Sequence, residues 1–179
     1  MKRKYELKKR AERQAGTRQR IVEAAVALHS IVGPAQTSVA AVARRAGVQR
    51  HTVYAHFADD GALFDACSAH WRDLHPFPDV SRMELAPALE AVYGWYDEVE
   101  TSFALFARDS ALYPEVWAHR QQLLASLADG LAARVGRRKM VRAAVGHAVA
   151  FETWRSLVRR EGLSNAKAAA AMAAFVQSA

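Results

Sequence analysis

The stretch 38–57, SVAAVARRAGVQRHTVYAHF, restricts what this chain can fold into more than any other. Ser38 is a natural helix N-cap, because its hydroxyl can accept from an orphan N–H of the turn that follows. Val39, Val42, Ala43 and Ala46 then supply the apolar face of about two helical turns. Gly47 stands just past the last periodic residue, where a left-handed cap costs a glycine least, and Val48 supplies the apolar contact that accompanies such a stop. The spacing predicts a second short helix over 50–57, with Val53 and Phe57 on its inward side. His51 and Ala55 then face outward, flanked by Thr52 and Tyr54, with Gln49 and Arg50 at the N-terminal tip. Two short helices joined by a glycine turn form the helix-turn-helix arrangement.

The charge of the chain is concentrated before this unit. The 179 residues include 25 Lys and Arg against 18 Asp and Glu. Nine of the basic residues (Lys2, Arg3, Lys4, Lys8, Lys9, Arg10, Arg13, Arg18 and Arg20) precede Ile21 with only Glu6 and Glu12, so the remainder balances. Such an arm reads as a solvated tail or as an extension that follows a phosphate backbone or enters a minor groove, and the two are compatible. The single cysteine, Cys67, excludes an intrachain disulfide and fits a reducing compartment. No 18-residue apolar run occurs, and the segment after the basic start is charged throughout, so a soluble cytoplasmic protein with no membrane span is expected.

Helical periodicity covers the rest. The first helix is expected to start near Thr17 and to end before Gly33-Pro34. A fourth helix follows Asp59-Asp60-Gly61, acids that complement a helix N-terminus. The segment HPFPD at 75–79 cannot continue a helix and marks a boundary. Beyond it the pattern predicts a helix over 87–100, a short one capped by Thr101 or Ser102, and a longer one over 114–135. Val116, Leu123, Leu124, Leu127, Leu131 and Val135 lie on the buried side of the last of these. Two further helices follow, over 138–160 and 164–177, the last rich in alanine. The expected fold is all-α with about nine helices: a basic arm (1–16), a helix-turn-helix domain (17–58), a connecting helix (59–75) and a C-terminal helical domain (76–179). No phosphate loop, G-x-S-x-G or paired zinc-spaced histidines occur, so an enzyme is disfavoured. Cys67, His70 and His75 lack a second ligand cluster, so neither a metal nor another cofactor is expected.

The first 70 residues resemble the DNA-binding domain of the TetR family of bacterial repressors. The match is carried by Ile21, Ala24, Ala25, Leu28, Gly33, Thr37 and Ser38, by the run GVQRHTVYAHF with Val42, Ala43 and Ala46 before it, and by Ala62, Leu63 and Phe64. Asp60 departs from the pattern where members usually place a Lys, as does Ala40 where many carry a polar or basic residue. The resemblance implies a homodimer formed through the last two helices, and a two-fold dimer would bind double-stranded DNA at an inverted repeat with half-sites about one turn, roughly 34 Å, apart or a multiple of it. Gln49, Arg50 and His51 are placed to read base edges, Arg pairing with guanine and Gln with adenine; for Arg50 a phosphate contact is the rival role. Ser38, Thr52, Tyr54 and His56 match family positions that meet the DNA backbone, a partly buried structural role being the alternative for Tyr54 and His56. Repression released by a small, mostly apolar effector is also implied. Tyr93, Tyr96, Phe103, Trp117, His147 and Phe151 could line its pocket or simply fill a core. A dimeric DNA-binding protein without a ligand is the alternative.

Overall fold

The computed structural model describes residues 2–136 and 138–179, the side chains of 2–4 and 119 excepted. Among the described residues there are nine helices and no strand: α1 (Lys2–Val32), α2 (Val39–Ala46), α3 (Arg50–His56), α4 (Asp60–Leu74), α5 (Leu85–Arg108), α6 (Pro114–Val135), α7 (Lys139–Ala148), α8 (Phe151–Trp154) and α9 (Asn165–Gln177). The expected all-α class is what forms. The chain divides into two units, one built from residues up to Pro76 together with Ala104–Asp109, the other from Phe77–Phe103 and Ser110–Ala179.

In the first unit α1 packs along α2 and α4. Ile21 and Ala25 are fully buried and meet Val42, Ala43 and Ala46 of α2, Val53 of α3, Phe57, and Leu63 and Cys67 of α4. Helix α1 begins at Lys2 rather than near Thr17. The residues before Thr17 are mostly Lys, Arg, Glu, Ala, Gln and Leu, all strong helix formers, and they extend a helix whose later turns are anchored in the core. Helix α4 is capped as its acids predict, the Asp59 carboxylate accepting from the Ala62 N–H at 2.7 Å.

The turn after α1 is held by residues far along the chain. Gly33 has φ +88°, a conformation open to glycine. Arg108 donates to the Val32 carbonyl at 3.0 Å, and the buried Asp109 carboxylate accepts from the Ala35 N–H at 2.9 Å. Arg108 and Asp109 pair with each other at 2.7 Å, which holds the Asp109 carboxyl below its usual range. His29, one turn before Gly33, packs against Phe64, and burial lowers its pKa to about 4, so the ring is neutral at pH 7.

The second unit departs from expectation in three places. Helix α5 runs unbroken through Thr101 and Ser102, because the Ser102 hydroxyl donates back to the Val99 carbonyl at 3.0 Å instead of capping a new helix. The expected single helix over 138–160 stops at Ala148 and restarts at Phe151. Helix α7 ends where the buried Tyr93 and Tyr96 hydroxyls donate to the Ala148 and Val149 carbonyls at 2.7 and 2.8 Å, satisfying groups that a helix terminus leaves free. The second half continues as a wide π-helical stretch, Arg155–Arg160. On α6 only Leu131 of the predicted stripe is fully covered, while Leu123 and Val135 are exposed. The core lies instead around Trp154, with Tyr96 and Phe151 against its ring and Asn165 of α9 accepting from its indole N–H at 3.0 Å.

Candidate nucleic-acid interface

The local chemistry that builds α2 and α3 also decides which side chains they present. The Ser38 hydroxyl accepts from the Ala41 N–H at 3.2 Å and so starts α2, leaving Ser38 exposed. Gly47 takes the left-handed conformation (φ +67°, ψ 36°), and the Val48 N–H then reaches the Ala43 carbonyl at 3.0 Å. This bond reverses the chain within three residues and sets the angle at which α3 leaves. Gln49, extended, caps α3 through its backbone. Val53 and Phe57 are 1% and 3% exposed, so the inward face of α3 is fixed in the core and its opposite face must look out.

On that outward side Gln49, Arg50 and His51 are all exposed at the N-terminal tip. One turn later Tyr54 is 42% exposed, while Thr52 and His56 are half-buried. The Arg50 guanidinium lies 5.7 Å from the centre of the Tyr54 ring, with Nη2 3.5 Å from the phenol oxygen. That hydroxyl further favours the charged form of Arg50. Resting a long cation on an aromatic ring one turn away reduces the rotamer freedom it must lose on binding. The structure thus brings Gln49, Arg50, His51 and Tyr54 onto one exposed patch with Ser38 at the start of the preceding helix, and it sets Thr52 and His56 at the edge. Two cations of α2 were not singled out from the sequence, and Arg18 was counted there only with the basic residues before Ile21. Arg44 and Arg45 are exposed on the last turn of α2, where basic side chains complement the helix C-terminus. Arg18 of α1 stacks over the Phe57 ring at 4.4 Å, a contact that no local pattern announces.

The residues expected to line an effector pocket are only partly gathered. Tyr96, Phe103 and Phe151 meet in the second unit, with ring centroids 4.5–5.5 Å apart. Tyr93 is buried on the same helix as Tyr96. Trp117 is half-buried on α6, and His147 is exposed on α7, its ring 6.3 Å from Phe175 of α9. A surface recess of about 370 Å³ lies elsewhere in this unit, between Met83–Pro87, Leu131, Arg134, Val135 and Gln177, and none of the expected pocket residues lines it. Cys67 is buried, which pushes its thiol up to about 12, so it is neither a ready ligand nor a nucleophile at neutral pH. Among the described residues no group of three or more His, Cys, Asp or Glu could hold a metal ion.

Residues 21–67 match the model of the bacterial regulatory proteins, tetR family. That segment is similar to the DNA-binding domain of this family. The matched segment contains the whole outward patch built above and the core residues that hold it. In this TetR-like segment α3 occupies the place of the recognition helix, the second helix of the helix-turn-helix. A solved structure, the multidrug binding protein EbrR complexed with imidazole, shares the fold with a TM-score of 0.61 and 21% identity, over 89% of this chain and 93% of that one. No curated protein matches the chain. Among the described residues no helix is long and apolar enough to cross a membrane.

Proposed function

We propose that this chain is an effector-responsive transcriptional repressor that binds an inverted-repeat operator as a homodimer. One observation carries the reading: α3 is anchored by Val53 and Phe57 and offers Gln49, Arg50 and His51 together from its exposed tip. Three adjacent donors and acceptors at the start of a recognition helix suit base edges in the major groove. Ser38, Thr52, Tyr54 and His56, joined by Arg44 and Arg45, suit the flanking phosphates and set the register. Dimerisation through the two C-terminal helical segments, 138–160 and 164–177, is supported by their open apolar residues. Met140 of α7 and Phe175 of α9 are 64% and 47% exposed, and Ala143, Ala170, Ala171 and Ala174 are exposed beside small-residue stretches that allow close helix approach.

Selection of bound fragments from genomic DNA tests the reading, and an inverted repeat holding two copies of the protein is the expected product. On that operator Arg50→Ala should lose about 1–3 kcal/mol, roughly ten- to hundredfold in affinity, while binding to unrelated duplex changes little. An equal loss on every sequence would assign Arg50 to a phosphate instead.

The effector, in this reading, is small and mostly apolar and meets the aromatic group around Tyr96, Phe103 and Phe151. EbrR, described as a multidrug binding protein, lends support through its shared fold. Hydrophobic compounds that bind the folded unit should raise its melting temperature, by an amount equivalent to about 2.7 kcal/mol at a hundredfold excess over Kd. A broad panel that raises it nowhere would leave a ligand-free dimeric DNA-binding protein as the better description.

A further inference from the structure

We infer that the N-terminal half of α1 is a second DNA-binding element, a helical arm that grips phosphates of the duplex beside each half-site without reading bases. The inference rests on the DNA-binding role of α3. Three observations carry it. First, α1 is one continuous helix from Lys2 to Val32, so the arm is not a separate tail but the extension of a helix fixed in the core by Ile21 and Ala25. Second, Arg18 lies over the ring of Phe57, the residue that ends α3, so the arm leaves the domain beside the C-terminal end of the recognition helix. At 1.5 Å per residue, the helix from Arg18 back to Lys2 reaches about 24 Å, the length of about seven base pairs. Third, residues 2–16 hold seven Lys and Arg against two Glu, which is +5 of the chain's net +7, and residues 5–16 are exposed.

The charge distribution favours nucleic acid over a lipid surface. At about 100° per residue Lys8, Lys9, Arg13 and Arg10 fall at about 0°, 100°, 140° and 200°, so the cations spread over rather more than half of the helix circumference. Tyr5 and Leu7, 66% and 60% exposed, fall on nearly opposite sides and make no apolar stripe. A helix that lies in a membrane interface needs such a stripe, whereas one that follows a duplex needs only cations. The ion pair of Lys8 with Glu12 at 3.9 Å is too exposed to withhold its lysine.

The test uses the full chain and the variant Lys8→Gln/Lys9→Gln/Arg10→Gln/Arg13→Gln, in which glutamine keeps the helix propensity and Arg18 is untouched. Operator affinity is measured by fluorescence anisotropy from 50 to 300 mM salt, and backbone protection by hydroxyl-radical footprinting. The variant should flatten the dependence of log affinity on log salt by at least about 2, since each neutralised phosphate contributes about 0.9 to that slope. It should also lose backbone protection beyond the bases met by α3 and keep its preference for operator over unrelated duplex. An unchanged slope and footprint in a variant that binds the operator would overturn the inference and leave the role of α3 standing. Tighter binding of the wild type to phosphatidylglycerol vesicles than to operator, abolished in the variant, would overturn it in favour of a membrane. Failure of the wild type to bind any duplex would remove both.

Discussion

Trp154→Ala is expected to cost the second unit about 3–5 kcal/mol, the usual range for removing a large buried aromatic. The side chain is fully buried and touches three kinds of partner at once. The rings of Tyr96 and Phe151 lie 5.7 and 5.3 Å away, and the Arg159 guanidinium sits over the indole at 4.9 Å. Its N–H is held by Asn165, the first residue of α9. Alanine therefore leaves a cavity, an unpaired Asn165 carbonyl and an arginine without its platform. Arg159 keeps its carboxylate partners on α5, Glu100 at 2.7 Å and Asp97, so the ion pairs alone do not hold the region. Because a domain is stable by only about 5–15 kcal/mol, the substitution consumes much of the margin. Chemical denaturation followed by circular dichroism gives the number, and Trp154→Phe, which keeps a ring but not the N–H, should fall well short of it. A loss below about 1 kcal/mol for alanine would mean that this cluster is not the centre of the unit.

How much of this was legible beforehand depends on how far apart in sequence the deciding atoms lie. The helix-turn-helix is built from bonds between near neighbours: Ser38 to Ala41, Val48 to Ala43, Phe57 to Val53. Each has a residue-type signature, so both short helices, their turn and the exposed Gln-Arg-His tip followed from spacing alone. The second unit was less legible because distant residues settle its details. Nothing near Val149 predicts a break there; the two carbonyls are satisfied by tyrosines more than fifty positions earlier. Periodicity likewise marks Leu123 and Val135 as apolar without saying whether anything covers them. In the interface, the anchoring of Arg18 on Phe57 was hidden for the same reason, although both residues could be named.

Gly33→Ala should destabilise the first unit by about 2–4 kcal/mol, and the reason again lies far along the chain. With φ +88° and ψ 162°, Gly33 occupies a region that is nearly glycine-only, and forcing another residue into it costs roughly 1–3 kcal/mol. A methyl group at this position would also stand 2.6 Å from Asp109 Oδ2 and collide with the Arg108 guanidinium. Relief requires the pair to move, which would pull Arg108 away from the Val32 carbonyl and the buried Asp109 away from the Ala35 N–H. The two contributions can be separated, because Arg108→Ala removes the larger obstruction and leaves the backbone strain. In the Arg108→Ala background the cost of Gly33→Ala should drop toward the strain alone, with a coupling of about 1 kcal/mol or more between the sites. Equal costs in the two backgrounds would show that the backbone conformation, not the Arg108–Asp109 clamp, makes glycine necessary. In either case the Gln49–Arg50–His51 tip lies on α3, beyond α2 from the substitution. Operator affinity of the folded fraction should therefore stay close to wild type, which distinguishes a loss of stability from a loss of recognition.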